Sequence, residues 1–213
     1  MLEIICAIRK ICESEQGFKD LFAKNKSYNT LSNLVNNEYY LSLFMKLFYG
    51  KASNSLIELI NDVYQYETIS EKIIKDLISD GLSNSQAKEA LEIFYRTFGF
   101  PGYRDIEINS ISEFVSYEGD NFKTIYKGET KDGKEYGIGI RNNYYDGKSC
   151  GWDECTWING KMFGYCQSLD IEFEAYETKK YGFIVNDTYI GKYMNIYEDG
   201  SEGYMKGEEL NFK

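Results

Sequence analysis

The spacing of apolar and polar positions changes near residue 100. Before it, apolar residues recur every three or four positions, as on one face of an α-helix. Ala87, Ala90, Leu91, Phe94 and Phe98 follow that spacing through QAKEALEIFYRTF, with Ser83 or Ser85 as candidate N-cap. EKIIKDLISD follows Ser70, a second candidate N-cap, and runs into Gly81-Leu82, a C′ glycine and an apolar C″ residue. Asn54-Ser55 opens LIELINDVYQY, and Gly50 closes a helix expected from about Glu38 to Tyr49. A shorter helix is expected over Thr30 to Asn36, and Leu2, Ile5, Ile8, Ile11 and Cys12 predict one at the start. Five or six helices with short loops make residues 1–100 an all-α helical bundle.

Beyond Gly99-Phe100-Pro101-Gly102, leucine gives way to glycine and tyrosine, residues of turns and strands. A repeat appears, with segments beginning at Tyr126, Asp153 and Lys180, each 27 residues after the last. A turn pair recurs at the seventh and eighth positions: Asp132-Gly133, Asn159-Gly160 and Asn186-Asp187. Between extended runs, such pairs signal a two-residue type I′ hairpin, which needs positive φ at both residues. Glycine recurs at the twelfth position (Gly137, Gly164, Gly191) and an apolar residue before it (Tyr136, Phe163, Ile190). A two-residue turn with regular pairing sets Gly128 opposite Gly137, Cys155 opposite Gly164 and Gly182 opposite Gly191. Trp157 and Tyr193 then share the face of these small residues, and Tyr136, Phe163 and Ile190 lie on the other. The predicted fold class is α+β: a helical bundle, then an antiparallel β-hairpin repeat sheet over residues 103–213, with repeats near 126–152, 153–179 and 180–206.

Two resemblances accompany this reading. The spacing from Tyr126 through Gly128, Asp132-Gly133-Lys134 and Gly137 to Gly139 resembles a MORN repeat. Trp157, Asn159, Gly160, Lys161 and Gly164 match it in the second copy, and Gly182, Asn186 and Gly191 in the third. The resemblance implies a tandem hairpin array. It departs from the family in its longer period and in Cys166 and Tyr193 where the first copy has Gly139. The first half resembles a small helical module at the N-termini of modular bacterial proteins, on an AIRKI opening and on Ile78, Gly81-Leu82-Ser83, Ala87-Lys88, Ala90-Leu91 and Phe98-Gly99. No activity follows from it.

Composition narrows the function. The chain has no histidine, which removes Ser-His-Asp and Cys-His catalysis and His-ligated metals. Net charge is −10, and residues 101–213 hold 13 basic and 21 acidic residues. That balance opposes nucleic acid and anionic lipid. Cys6, Cys12, Cys150, Cys155 and Cys166 are odd in number and form no CxxC, so they read as free thiols of a reducing, cytoplasmic setting. Residue usage rich in Lys, Asn, Ile and Tyr with one proline points to an AT-rich genome, bacterial or phage.

Candidate chemistry is sparse. No catalytic, metal-binding or cofactor-binding residues are expected. Asp170, Glu172 and Glu174 line one face of the LDIEFEAYE strand and are the residues a carboxylate-based glycan hydrolase would use, although a charged outer face explains them. GIGIRN, residues 137–142, lacks the lysine and following helix of a phosphate loop. Tyr144, Tyr145, Trp152, Trp157 and Tyr193 are the candidate partner-binding aromatics. Asp132, Gly133, Gly137, Asn159, Gly160, Gly164, Asn186 and Gly191 are the structural turn and repeat positions. The leading expectation is a non-enzymatic adaptor that binds a protein partner through the repeat sheet, possible homodimerisation through a sheet edge or the helical domain included. The alternatives are a lipid-associated MORN-type scaffold and the hydrolase.

Overall fold

The structure, a computed structural model, describes residues 1–23, 26–104, 110–172 and 176–208, leaving aside the side chains of Glu172 and Tyr176. Two compact units divide it, residues 1–103 and 104–208.

The first unit holds α1 (Leu2–Ile11), α2 (Glu15–Asp20), α3 (Tyr28–Leu34), α4 (Glu38–Tyr49), α5 (Ala52–Asn61), α6 (Tyr66–Ser79) and α7 (Asn84–Phe98), with a 3-10 turn at Val63–Gln65. Seven α-helices among the described residues exceed the five or six expected, because Ser14 caps the short α2 by accepting from the Gly17 N–H at 3.0 Å. Phe18, Phe48, Phe94 and Phe98 fill the core, with Phe18 against Phe98 at 5.9 Å and Phe94 against Phe98 at 4.8 Å between ring centroids. Arg9 is buried with them. Its guanidinium donates to the carbonyls of Thr97 and Arg96 at 3.2 and 3.1 Å, supplying positive charge where α7 ends and its carbonyls lack helical partners.

Capping decides the helix ends, and two expected caps are corrected. Ser83 closes a capping box with Gln86. Gly81 has φ +94°, and the N–H groups of Gly81 and Leu82 donate to Ile78 and Leu77, a Schellman motif. Ser70, however, lies inside α6, where its hydroxyl reaches the Tyr66 carbonyl and the Tyr95 hydroxyl. Asn54-Ser55 lies inside α5, with Ser55 buried and donating to Asp76 at 2.8 Å. Both serines satisfy interior contacts, which sequence alone does not separate from caps.

The second unit is one open sheet. Its strands are β1 (Ser110–Glu118), β2 (Phe122–Lys131), β3 (Lys134–Tyr145), β4 (Lys148–Ile158), β5 (Lys161–Glu172), β6 (Tyr176–Val185), β7 (Thr188–Tyr197) and β8 (Glu202–Lys206). Each pairs antiparallel with the next, so β1 and β8 are the edges of an eight-stranded meander. The α+β fold of helices followed by antiparallel hairpins is as expected. The three repeat turns have positive φ at both positions: 52° and 73° at Asp132-Gly133, 54° and 80° at Asn159-Gly160, 55° and 66° at Asn186-Asp187. Adjacent repeats are tied through these turns. Gly160 N–H donates to the Glu135 carbonyl at 3.0 Å, and Asp187 accepts from Met162 N–H at 2.8 Å.

The register departs from the simple hairpin. Pairing starts regularly at Thr130 and Glu135 but then slips by two, so Gly128 faces Gly139 and not Gly137. The same slip falls between Glu154 and Thr156 in the second repeat and between Tyr181 and Phe183 in the third. It sets Cys155 against Cys166 and Gly182 against Tyr193. The twelfth-position glycines are the bulge residues, with φ of 81°, 75° and 64° at Gly137, Gly164 and Gly191. Only glycine holds that conformation cheaply. A slip of two keeps every side chain on its face, so the face assignments of Trp157, Tyr193 and Phe163 survive the change.

Gly164→Ala and Gly191→Ala should each lower stability by about 1 to 2 kcal/mol, from the cost of a Cβ at positive φ. Gly139→Ala should cost more, because its Cβ would enter the Tyr126 ring. Guanidinium unfolding of the full chain measures all three, and no loss of stability in the bulge variants would contradict the register.

Candidate functional site

One face of the sheet is closed by its own aromatic rings. The Tyr126 ring lies over the Gly128/Gly139 pair, and its hydroxyl donates to the Glu129 carbonyl at 2.7 Å. Trp157 meets Tyr126 edge-on at 5.8 Å and donates through Nε1 to the Gly139 carbonyl at 2.9 Å. Arg141 stacks on Trp157 at 4.1 Å and forms a fork with the buried Glu135 carboxylate at 3.1 and 2.6 Å. Its Nη2 also donates to the Gly160 carbonyl at 3.2 Å, so one guanidinium links a strand to the next repeat's turn. In the third repeat Tyr189 and Tyr193 stack at 4.3 Å over Gly182. Burial, with the Glu135 and Glu129 charges adding to it, pushes the Tyr126 phenol far up, and burial pushes Tyr189 up to about 12.

The cysteine expectation is corrected here. Cys155 and Cys166 form a disulfide across directly opposed positions whose Cα atoms are 4.5 Å apart. The register slip is the physical reason, since regular pairing would have placed Gly164 opposite Cys155. Cys12 and Cys150 are free thiols.

The five candidate aromatics do not form one surface. Trp157 is fully buried and Tyr193 is half-buried in the tyrosine stack. Tyr145 is half exposed. Tyr144 and Trp152 are half-buried and share the other face. On that face, register lines up Val115, Ile125, Asn142, Trp152 and Leu169 across β1 to β5. Among the carboxylates, Asp170 is ion-paired with Lys180. The Glu172 side chain and all of Glu174 lie outside the described residues. GIGIRN lies within β3, and its glycines serve the bulge and the Tyr126 contact. Among the described residues, no His, Cys, Asp or Glu group is placed to hold a metal, and no helix is long and apolar enough to cross a membrane.

A groove that no motif announced lies where the β1–β2 and β3–β4 turns meet. The Asp146 N–H donates to the Asn121 carbonyl at 2.8 Å and joins the two turns. The resulting cavity of about 460 Å³ has apolar walls at Ile125, Phe122 and Tyr144, and carboxylates at Glu118, Asp120 and Asp146. Lys123 is its one cation and lies 3.6 Å from Glu118. Asp120 and Asp146 have no ion pair among the described residues. Beside the groove runs the open edge of β1, where Ile111, Val115 and Tyr117 are 53, 44 and 58% exposed. The two turns are far apart in sequence and carry ordinary turn residues, which is why only the fold reveals the groove.

No protein-family model matches the chain, and no curated protein matches its sequence.

Two outcomes test this geometry. Tyr95 and Tyr189 keep their protons up to about 12, whereas an unfolded tyrosine releases its proton near 10. The unfolded state then holds fewer protons over that window, so the stability these two tyrosines contribute should be fully present below pH 10 and be lost from pH 10 to about 12. Denaturant unfolding across the window, with phenolate absorbance, measures it. Reducing the Cys155–Cys166 disulfide should cost about 3 kcal/mol for so short a loop. Peptide mapping without reductant should recover the two cysteines linked.

Proposed function

We propose that the protein is a non-enzymatic adaptor whose MORN-like hairpin sheet binds a protein partner. The observation that carries this reading is the β1 edge. It is nine residues long, has neither lysine nor proline, and exposes Ile111, Val115 and Tyr117 along an edge that no further strand pairs among the described residues. Natural sheets blunt such edges unless they are used. Strand addition would satisfy the backbone, and the exposed side chains would select the partner. The carboxylate-hydrolase reading draws less support, because Lys180 already engages Asp170. The acidic balance of the unit weighs against a lipid surface. The Cys155–Cys166 disulfide weighs against the cytoplasmic setting expected from the cysteine count and favours an oxidising compartment.

Pull-down from a low-GC bacterial lysate, with light scattering on the isolated chain, tests the proposal. The expected result is a stoichiometric partner or a self-associated species that is lost in a Val115→Lys, Tyr117→Lys variant. A monomer that captures nothing, or capture unaffected by the two lysines, would count against it.

A further inference from the structure

Building on the protein-binding reading, we propose that the groove between the β1–β2 and β3–β4 turns receives a basic, extended segment of the partner, laid along β1 with a Lys or Arg side chain in the cavity. Charge selects this occupant. Three carboxylates face the cavity against one lysine, and that lysine is engaged by Glu118. Asp120 and Asp146 are left without a cation among the described residues. The surrounding half of the chain, with 21 acidic and 13 basic residues, repels acidic segments and draws basic ones.

The walls suit the same side chain. Ile125 and Phe122 offer apolar surface to the methylene stem of lysine or arginine, which buries along such surface while its head stays polar. Tyr144 adds a ring face for the cation. A volume of about 460 Å³ holds one long side chain with water around it. Continuity with the edge supplies the rest. Val115 of β1 pairs with Ile125 of the groove wall, so a strand added at β1 runs beside the cavity. Alternating side chains of that strand would meet Ile111 and Val115 on the groove's face.

Three labelled peptides of equal length, alternating valine with lysine, serine or glutamate, provide the probe. The lysine peptide should bind the full chain at least tenfold more tightly than the serine peptide, and the glutamate peptide should not bind. An Asp120→Asn, Asp146→Asn variant should lose about tenfold of the lysine peptide's affinity. Asparagine keeps the turn conformations, including the φ of 48° at residue 146, so its unfolding midpoint should be unchanged. Added salt should weaken the lysine complex. Equal affinities for the three peptides, or affinity indifferent to the double variant, would overturn the basic preference. If the serine peptide binds equally well and the Val115→Lys, Tyr117→Lys variant abolishes it, strand addition stands and only the groove's selectivity fails. Binding of no peptide overturns the groove as a site and leaves the pull-down to judge the broader reading.

Discussion

The sheet depends on one steric constraint: aromatic rings lie flat on backbone only where two small residues oppose each other across a strand pair. Gly128 and Gly139 leave that space for Tyr126, and Trp157 anchors beside it on the Gly139 carbonyl. The bulge glycines make the opposition possible, because each shifts the register by two and brings the correct pair together. Arg141 then seals the face by covering Trp157 and neutralising the buried Glu135. Were the register regular, Gly139 would no longer stand opposite Gly128, and the ring would meet a different surface. Copies two and three vary the theme, with a disulfide at one pair and a tyrosine stack at the other.

Closing one face this way frees other parts of the sheet for contact. Trp157, Tyr126, Cys155 and Cys166 are spent on cohesion. The β1 edge and the groove beside it stay open among the described residues, and there apolar surface and uncompensated carboxylates adjoin. Stability and recognition thus fall on different residues of one repeat architecture, as they often do where rigid strands hold variable turns.

Much of this fold is legible from the sequence, for reasons that differ by residue. Asp-Gly and Asn-Gly at a fixed period declare hairpins because few residues tolerate positive φ. The Gly81-Leu82 stop and the Ser83 cap are equally local and equally readable. The bulges are not, because a glycine column fits a flat pair as well as a left-handed bulge. Ser70 and Ser55 misled as caps because burial, a tertiary property, put their hydroxyls to other use. Trp157 offered the same difficulty: a tryptophan in a strand reads as contact surface or as core until the ring beneath it is placed. The groove was illegible, since two turns distant in sequence build it and the Asp146-Gly147 pair declares only its own hairpin.

The register slip is the claim on which the faces, the ring contacts and the disulfide all rest, and paired cysteines test it most directly in the third repeat. Gly182→Cys with Tyr193→Cys should cross-link spontaneously under mild oxidation, as read by peptide mapping without reductant. Gly182→Cys with Gly191→Cys should not. Cross-linking of the second pair in preference to the first would contradict the account.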